Sequence, residues 1–266
     1  MFSNAKLFAQ ALGIEKPWKL DEVKFDPKEG QLDIYISHVE GSLFPCPDCQ
    51  QELTIFDRKE RTWRHLNFFQ HKAYIHCQVP RVMCGKCESI KQVKVPWARS
   101  GSGFTLLFEA FIMELAVHMP VRSISELVGE HDTRLWRMIR HYVDEARAKE
   151  DYSSVEQVGI DETSSKRGHN YVSVFVDLER SKVLFATEGK DASTVKEFAQ
   201  DLKEHKGEPE NIKDISSDMS PAYIKGVTES LPNARITFDK FHVMKIVNEA
   251  VDQVRRMEQK DNDSLK

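Results

Sequence analysis

Two early runs, "DEVKF" and "QLDIYISH", alternate apolar and polar residues with period two. That is the spacing of a half-buried strand, and "DPKEG" between them supplies Pro27 and Gly30 for a turn. Residues 1–40 therefore read as a short helix, Ala5 to Leu12, followed by a hairpin. Residues 41–99 are strand-like and hold all the cysteines, with "YIHCQVPRVMC" as a last strand. "PWARSGSG", Pro96 to Gly103, reads as a linker because small, turn-forming residues close it.

The period then changes. "FTLLFEAFIMELAVHM" is apolar nearly all round, which predicts a largely buried helix. In "PVRSISELVGE", Pro120 can start a helix, Ser123 can cap one with Glu126 three residues on, and Gly129 can end it. "HDTRLWRMIRHYVDEARAKE" repeats apolar residues at Leu135, Ile139, Tyr142 and Ala146, with Asp132 or Thr133 as its cap. Arg134, Arg137, Arg140 and His141 fall off that stripe. A short helix, a tight turn and a second helix with outward arginines make a helix-turn-helix pattern over 100–150. Its second helix would enter a major groove, with Arg134 and Arg137 against phosphate or guanine. Three-helix bundles with solvated arginines share this pattern.

Residues 155–266 alternate strand-like and helix-like runs. "VGIDE", "NYVSVFVDL" and "KVLFATEG" are joined by short polar turns, so they predict an antiparallel meander. "DASTVKEFAQDLKEHKG" follows as a helix with Val195, Phe198 and Leu202 on one face. "IKDISSD" predicts a fourth strand, "SPAYIKGVTESLP" a helix, "ARITFD" a fifth strand, and "FHVMKIVNEAVDQVRRME" a long helix. Three antiparallel strands, helix, strand, helix, strand, helix is the order of the ribonuclease-H-like fold. The predicted fold class is thus multidomain α+β: a β-rich cysteine module, a helix-turn-helix and an α/β domain.

Composition narrows the class. The chain has 266 residues, 40% hydrophobic and 30% charged, with a formal net charge of -4. No apolar run approaches a membrane span, and no secretory core opens the chain, so a cytoplasmic protein is expected. The charge is unevenly placed: residues 51–100 hold 10 Lys and Arg against 4 Asp and Glu. A basic block in an acidic chain suits nucleic-acid contact, or a solvated basic face. Within it, Arg58, Lys59, Arg61 and Arg64 are interleaved with Phe56, Trp63, Phe68, Phe69 and Tyr74, a mixture suited to phosphate contact and base stacking, or to the core of a small domain.

The five cysteines carry the sharpest local signal. "CPDC" and "CGKC" each place two residues between thiols, so Cys46, Cys49, Cys84 and Cys87 can form two knuckles around one tetrahedral zinc. Cys77 is left over and reads as a small buried hydrophobe. His65, His71 and His76 read as solvated histidines on a basic surface.

Acids form the second constellation. In the predicted fold the first and fourth strands are neighbours, so their ends bring Asp161 and Asp218 together. Paired carboxylates repel unless a hard cation neutralises them, and an all-oxygen site suits magnesium or manganese. Two such ions about 3.5–4 Å apart can activate an attacking oxygen and stabilise a leaving one at a phosphodiester. Glu162 and Asp239 read as caps of helices or turns.

The blocks "CPDC", "RTWRHL", "RVMCGKC", "HMPVRSISELV", "VGIDETSSKRGHNYVSVFVDL", "SSDMSPAYIKGV" and "ITFDKFHVMKIVNEAVDQVRR", in that order, resemble the bacterial insertion-sequence transposases of the ISL-three group. The resemblance runs from about residue 40 onward. It implies a zinc finger, a helix-turn-helix and an acidic-triad catalytic domain that cuts the ends of its own element and joins them to target DNA. It implies Asp161 as the first catalytic acid and Asp218 as the second. The family's third acid, a glutamate beyond a helical insertion, is expected past the last residue here, which leaves Glu249 as the substitute within the chain. The expected partners are double-stranded DNA and further copies of the chain. The expectation is thus the front part of a transposase, either an enzyme or a DNA-binding product that competes with the full protein.

Overall fold

In β2 (Gln31–His38), Leu32, Ile34 and Ile36 are buried and the residues between them are not, the period-two pattern of a strand with one face on a core. The computed structural model describes residues 4–166 and 170–261. The chain divides into two compact units, Met1–Asp144 and Glu145–Lys266.

The first unit opens with α1 (Asn4–Ala11) and β1 (Trp18–Asp26), which pairs antiparallel with β2 around a turn where Gly30 has φ +62°. β3 (Phe44–Pro45) and β4 (Glu52–Leu53) form a small hairpin. β5 (Ile55–Phe68) and β6 (His71–Cys84) form a long antiparallel one, and β7 (Ser89–Gln92) pairs with the end of β6. The sheet runs β1-β2-β6-β5. Segment 96–103 is not the free linker expected. Trp97 is 7% exposed, with its ring 5.0 Å from that of Trp18 and 5.7 Å from that of Trp63. Ala98 is buried beside it, so apolar burial holds a segment whose Gly and Ser content suggested freedom.

α2 (Leu106–His118), α3 (Val121–Val128) and α4 (Asp132–Arg147) follow. α2 buries Phe108, Glu109 and Ile112 but exposes Leu107, Phe111 and Val117, so its expected all-round burial is corrected. α3 is too short to cover a second face. The capping box is absent as well: Ser123 lies inside α3, Pro120 occupies the cap position, and Glu126 pairs with Arg122 instead. On α4 the buried stripe is Leu135 and Met138, with Ile139 and Tyr142 at its margin and Ala146 exposed.

The second unit contains β8 (Gln157–Lys166), β9 (Asn170–Asp177), β10 (Lys182–Glu188), α5 (Ala192–Glu204), β11 (Asp214–Ser217), α6 (Pro221–Ser230), β12 (Arg235–Phe238) and α7 (Lys240–Asp261). Its sheet runs β10-β9-β8-β11-β12, the ribonuclease-H-like order expected from the pattern. Short turns make β8, β9 and β10 antiparallel, while helical crossovers bring β11 and β12 in parallel to β8. Part of the turn between β8 and β9, 167–169, lies outside the described residues. Val195, Phe198 and Leu202 of α5 are fully buried with Val158, Phe175, Ile215 and Tyr223. Gly226 lets α6 lie close on α5, since a Cβ there would stand 2.9 Å from the Val195 side chain.

Candidate functional site

The four paired cysteines converge. The β3–β4 turn carries Cys46 and Cys49, the β6–β7 turn carries Cys84 and Cys87, and all four sulfurs lie within 4.8 Å of one another. Cys46 Sγ is 3.9 Å from Cys87 Sγ, and Cys49 Sγ is 3.4 Å from Cys84 Sγ. A tetrahedral ion with metal–sulfur bonds of about 2.3 Å has sulfur–sulfur edges near 3.8 Å, so the cage fits one. The backbone N–H groups of Cys49 and Asp48 hold the Cys46 thiol down at about 7. Hydrogen bonding to Cys49 and Cys84 pushes Cys87 up to about 12. Several thiolates cannot share this space without a cation. Cys77 stands apart in the sheet core at 3% exposure, and burial pushes its thiol up to about 12.

The basic block separates into two groups. Arg58 and Lys59 are exposed on β5 and Arg61 is half-buried. Arg64, expected on the DNA side, is 1% exposed and is corrected to an internal residue. It donates to the carbonyls of His65, Ala73 and Val128 and to Asn67 Oδ1, and its Nε lies 3.3 Å from Glu130. Its guanidinium also lies over the rings of Tyr74 and Phe108. Both faces of β5 are covered here, Trp63 packing on Trp97 on one and Arg64 lying over Phe108 on the other, and Glu130, at the start of the α3–α4 turn, offsets the buried charge.

On α4, Arg134 pairs with the other Glu130 oxygen and sits 4.4 Å above the Phe104 ring. Arg137 and Arg140 are exposed and make no ion pair among the described residues. The three histidines are engaged rather than merely solvated. His65 Nδ1 is 2.9 Å from Thr105 Oγ1, His76 Nε2 is 2.7 Å from Asp33, and His71 packs on Phe25. Burial, then the Arg64 charge, push His65 down to about 4. Glu109 escaped the sequence reading. It is fully buried and takes Arg99 at 3.0 Å, Ser102 Oγ at 2.6 Å and the Tyr142 hydroxyl at 2.6 Å. Its one signal was an acid amid the apolar run "LLFEAFIM".

The acids meet where β11 ends, while β8 runs on past Asp161 to Lys166 in its pairing with β9, so Asp161 is mid-strand rather than at the strand end expected. β11 pairs with β8 through Ser216 opposite Gly159. Two residues further on, the same register sets Asp218 beside Asp161. Each carboxylate ties Oδ1 to a backbone N–H, Asp161 to Glu162 at 2.7 Å and Asp218 to Ser220 at 3.0 Å. Among the described residues neither Oδ2 has a hydrogen-bond partner. Asp161, Asp218, Asp239 and His242 line one cleft of about 250 Å³, floored by Gly159, Ile160 and Ser217. The carboxyl ends of parallel strands are the usual ligand position in such sheets. An oxygen-rich donor set fits a hard divalent cation. Glu249 does not line this cleft and is exposed on α7. Seven residues past His242, it lies about 10 Å further along the helix.

Three parts of the chain match models of one family. Residues 42–87 match the zinc-finger of transposases IS204, IS1001, IS1096 and IS1165. Residues 93–143 match the helix-turn-helix domain of transposase family ISL3, and residues 158–266 match its transposase domain. The chain belongs to the ISL3 transposase family. The ISL3 zinc-finger match contains all four clustered cysteines, and the ISL3 transposase match contains Asp161 and Asp218. A curated relative, the transposase for insertion sequence element IS1557 of Mycobacterium tuberculosis, is 29% identical over 95% of this chain and 58% of its own length. The transposase for IS1001 of Bordetella parapertussis is 24% identical over 92% of this chain and 61% of its own. The chain thus spans about three fifths of these relatives. A solved integrase catalytic core domain from HTLV-2, in complex with magnesium, aligns with a TM-score of 0.25 and 16% identity over 42% of this chain and 77% of that one. At that level the likeness adds nothing to the strand order. No helix among the described residues is long and apolar enough to cross a membrane.

Proposed function

We propose that this chain acts in DNA transposition, binding the ends of its element and contributing Asp161 and Asp218 to phosphodiester cleavage and strand transfer. The observation that carries this is the placement of both aspartates in one cleft, Asp218 just past the end of β11 and Asp161 midway along β8, within an ISL3 chain. Asp161 and Asp218 would hold magnesium or manganese, which supplies Lewis acidity at the scissile phosphate. The backbone N–H tied to each Oδ1 orients the carboxylate, so little side-chain ordering remains to be done on binding. In cleavage the oxygen of a water attacks phosphorus and the 3′ oxygen leaves. In transfer that 3′ hydroxyl attacks a phosphorus of target DNA, forming the new phosphodiester bond as the target's own 3′ oxygen leaves.

Zinc held by Cys46, Cys49, Cys84 and Cys87 would be structural, because four thiolates close the coordination sphere and leave no open position. Arg58, Lys59, Arg61, Arg137 and Arg140 supply phosphate contact, with Arg134 at the groove from its Glu130 pairing. Further copies of the chain would join it across two element ends.

The test is strand-specific nicking of DNA carrying the sequences that flank the gene, with magnesium or manganese. Asp161→Asn and Asp218→Asn are each expected to abolish nicking while the same DNA stays bound. Nicking that survives both substitutions, or no preference for element ends over random DNA, overturns the reading.

A further inference from the structure

The geometry points to Asp239 as a third carboxylate of the same cation site, with His242 as its positioning partner. The inference rests on the reading of Asp161 and Asp218 as cation ligands and goes beyond it. β12 runs parallel to β11 with Ser217 opposite Phe238, and the Asp239 N–H donates to the Ser217 carbonyl at 2.9 Å. One residue beyond that pair, Asp239 stands beside Asp218 just as Asp161 does on the other side. Neighbouring strands are about 4.8 Å apart, so Asp218 is one strand's width from each of the other two. Three carboxylates at one level of one cleft repel in the absence of a cation.

Asp239 also caps α7, its Oδ1 accepting from the Phe241 N–H at 2.9 Å. Capping does not need a charge, because asparagine or serine performs it as well. The second oxygen is the informative one. Asp239 Oδ2 lies 3.4 Å from His242 Nδ1, a buried ring nitrogen that makes no hydrogen bond. The spacing i to i+3 across the start of a helix puts acid and imidazole on the same face. His242 therefore lines the cleft beside Asp239 and limits the positions its carboxylate can take. A strand-end acid followed one turn later by a half-exposed histidine whose shielded Nδ1 faces it is more than a cap requires.

The test is manganese(II) binding by the zinc-loaded 266-residue chain, read as loss of the free manganese signal in electron paramagnetic resonance, without DNA. Asp239→Asn is expected to weaken binding about 100-fold and His242→Gln about 10-fold. Asparagine keeps the Oδ1 acceptor for the Phe241 N–H, so a purely capping Asp239 predicts unchanged manganese binding, and that result overturns the inference. Asp239→Ser, which also caps, is measured beside it and is expected to lose binding to the same degree. In metal-free protein both variants should keep or raise the melting temperature of the α/β unit, because one repelling charge has gone. If Asp161→Asn and Asp218→Asn abolish binding while the Asp239 variants retain it, only this inference falls. If none of the three aspartates affects binding, the two-aspartate reading falls with it.

Discussion

Arg64 Nε lies 3.3 Å from the Glu130 carboxylate, and the two side chains are 0% and 6% exposed. The pair joins strand β5 to the turn that presents α4, and Arg134 holds the same carboxylate from the solvent side. The sheet and the helix-turn-helix of the first unit are therefore tied together at a buried charge.

Removing Arg64 leaves the buried Glu130 with Arg134 as its remaining cation and takes the guanidinium from the carbonyls of Ala73 and Val128, a loss of about 3 kcal/mol, the low end for breaking a buried pair. Arg64→Ala is expected to destabilise the first unit by that amount. Urea unfolding followed by tryptophan fluorescence reads it, since Trp18, Trp63, Trp97 and Trp136 all lie within residues 1–144. At protein concentrations where the variant is folded, its DNA binding should keep the wild-type dependence on salt.

Surface cations should behave in the opposite way. Arg58→Ala, Lys59→Ala and Arg140→Ala are each expected to leave stability within about 0.5 kcal/mol of wild type. Removing a cation that touches phosphate should flatten the slope of log affinity against log salt by about 0.9. Equilibrium binding at several salt concentrations measures this. Arg137→Ala should additionally reduce the preference for element ends over random DNA. A full slope in the triple variant would remove this surface from the DNA interface.

His65 sets a pH limit on the first unit. Its folded value of about 4 lies below the ordinary 6.5, so the unfolded chain takes up a proton that the folded one resists. Stability is then full above pH 6.5 and falls as pH drops from 6.5 toward 4. One pKa unit corresponds to about 1.4 kcal/mol, so a loss of about 1–3 kcal/mol is expected across that window. Tryptophan-detected melts from pH 7.5 to 4.5 test it, and His65→Gln should flatten the dependence in that range.

Zinc removal should act on one unit alone. Thiolate ligation couples metal binding to folding, so a strong chelator or Cys84→Ser is expected to unfold the sheet around the three packed indoles. Tryptophan emission should shift to the red while the α/β unit keeps its own cooperative transition in circular dichroism. Cys77→Ala should leave zinc content unchanged, since that thiol stands outside the cluster.

Much of the architecture was legible because it is written in local periodicity. Alternation marks β1 and β2, a 3.6-residue stripe marks α5, and the spacing within "CPDC" and "CGKC" specifies which four sulfurs can share an ion. Short turns against helical crossovers determined strand direction in the second unit, and from that the neighbourhood of Asp161 and Asp218. What the sequence could not decide was which face of an element finds a partner. Arg64 and Arg61 look alike in a basic run, yet one is sealed beneath α3 by Glu130, a residue 66 positions away. Trp97 sits in a segment that reads as flexible and is held by Trp18 and Trp63. Asp239 reads as a helix cap, and it is one, but only the register of β12 against β11 sets it level with Asp218. Local pattern determines an element. Exposure and register arise from contacts between elements distant in the chain, and those the tertiary structure alone decides.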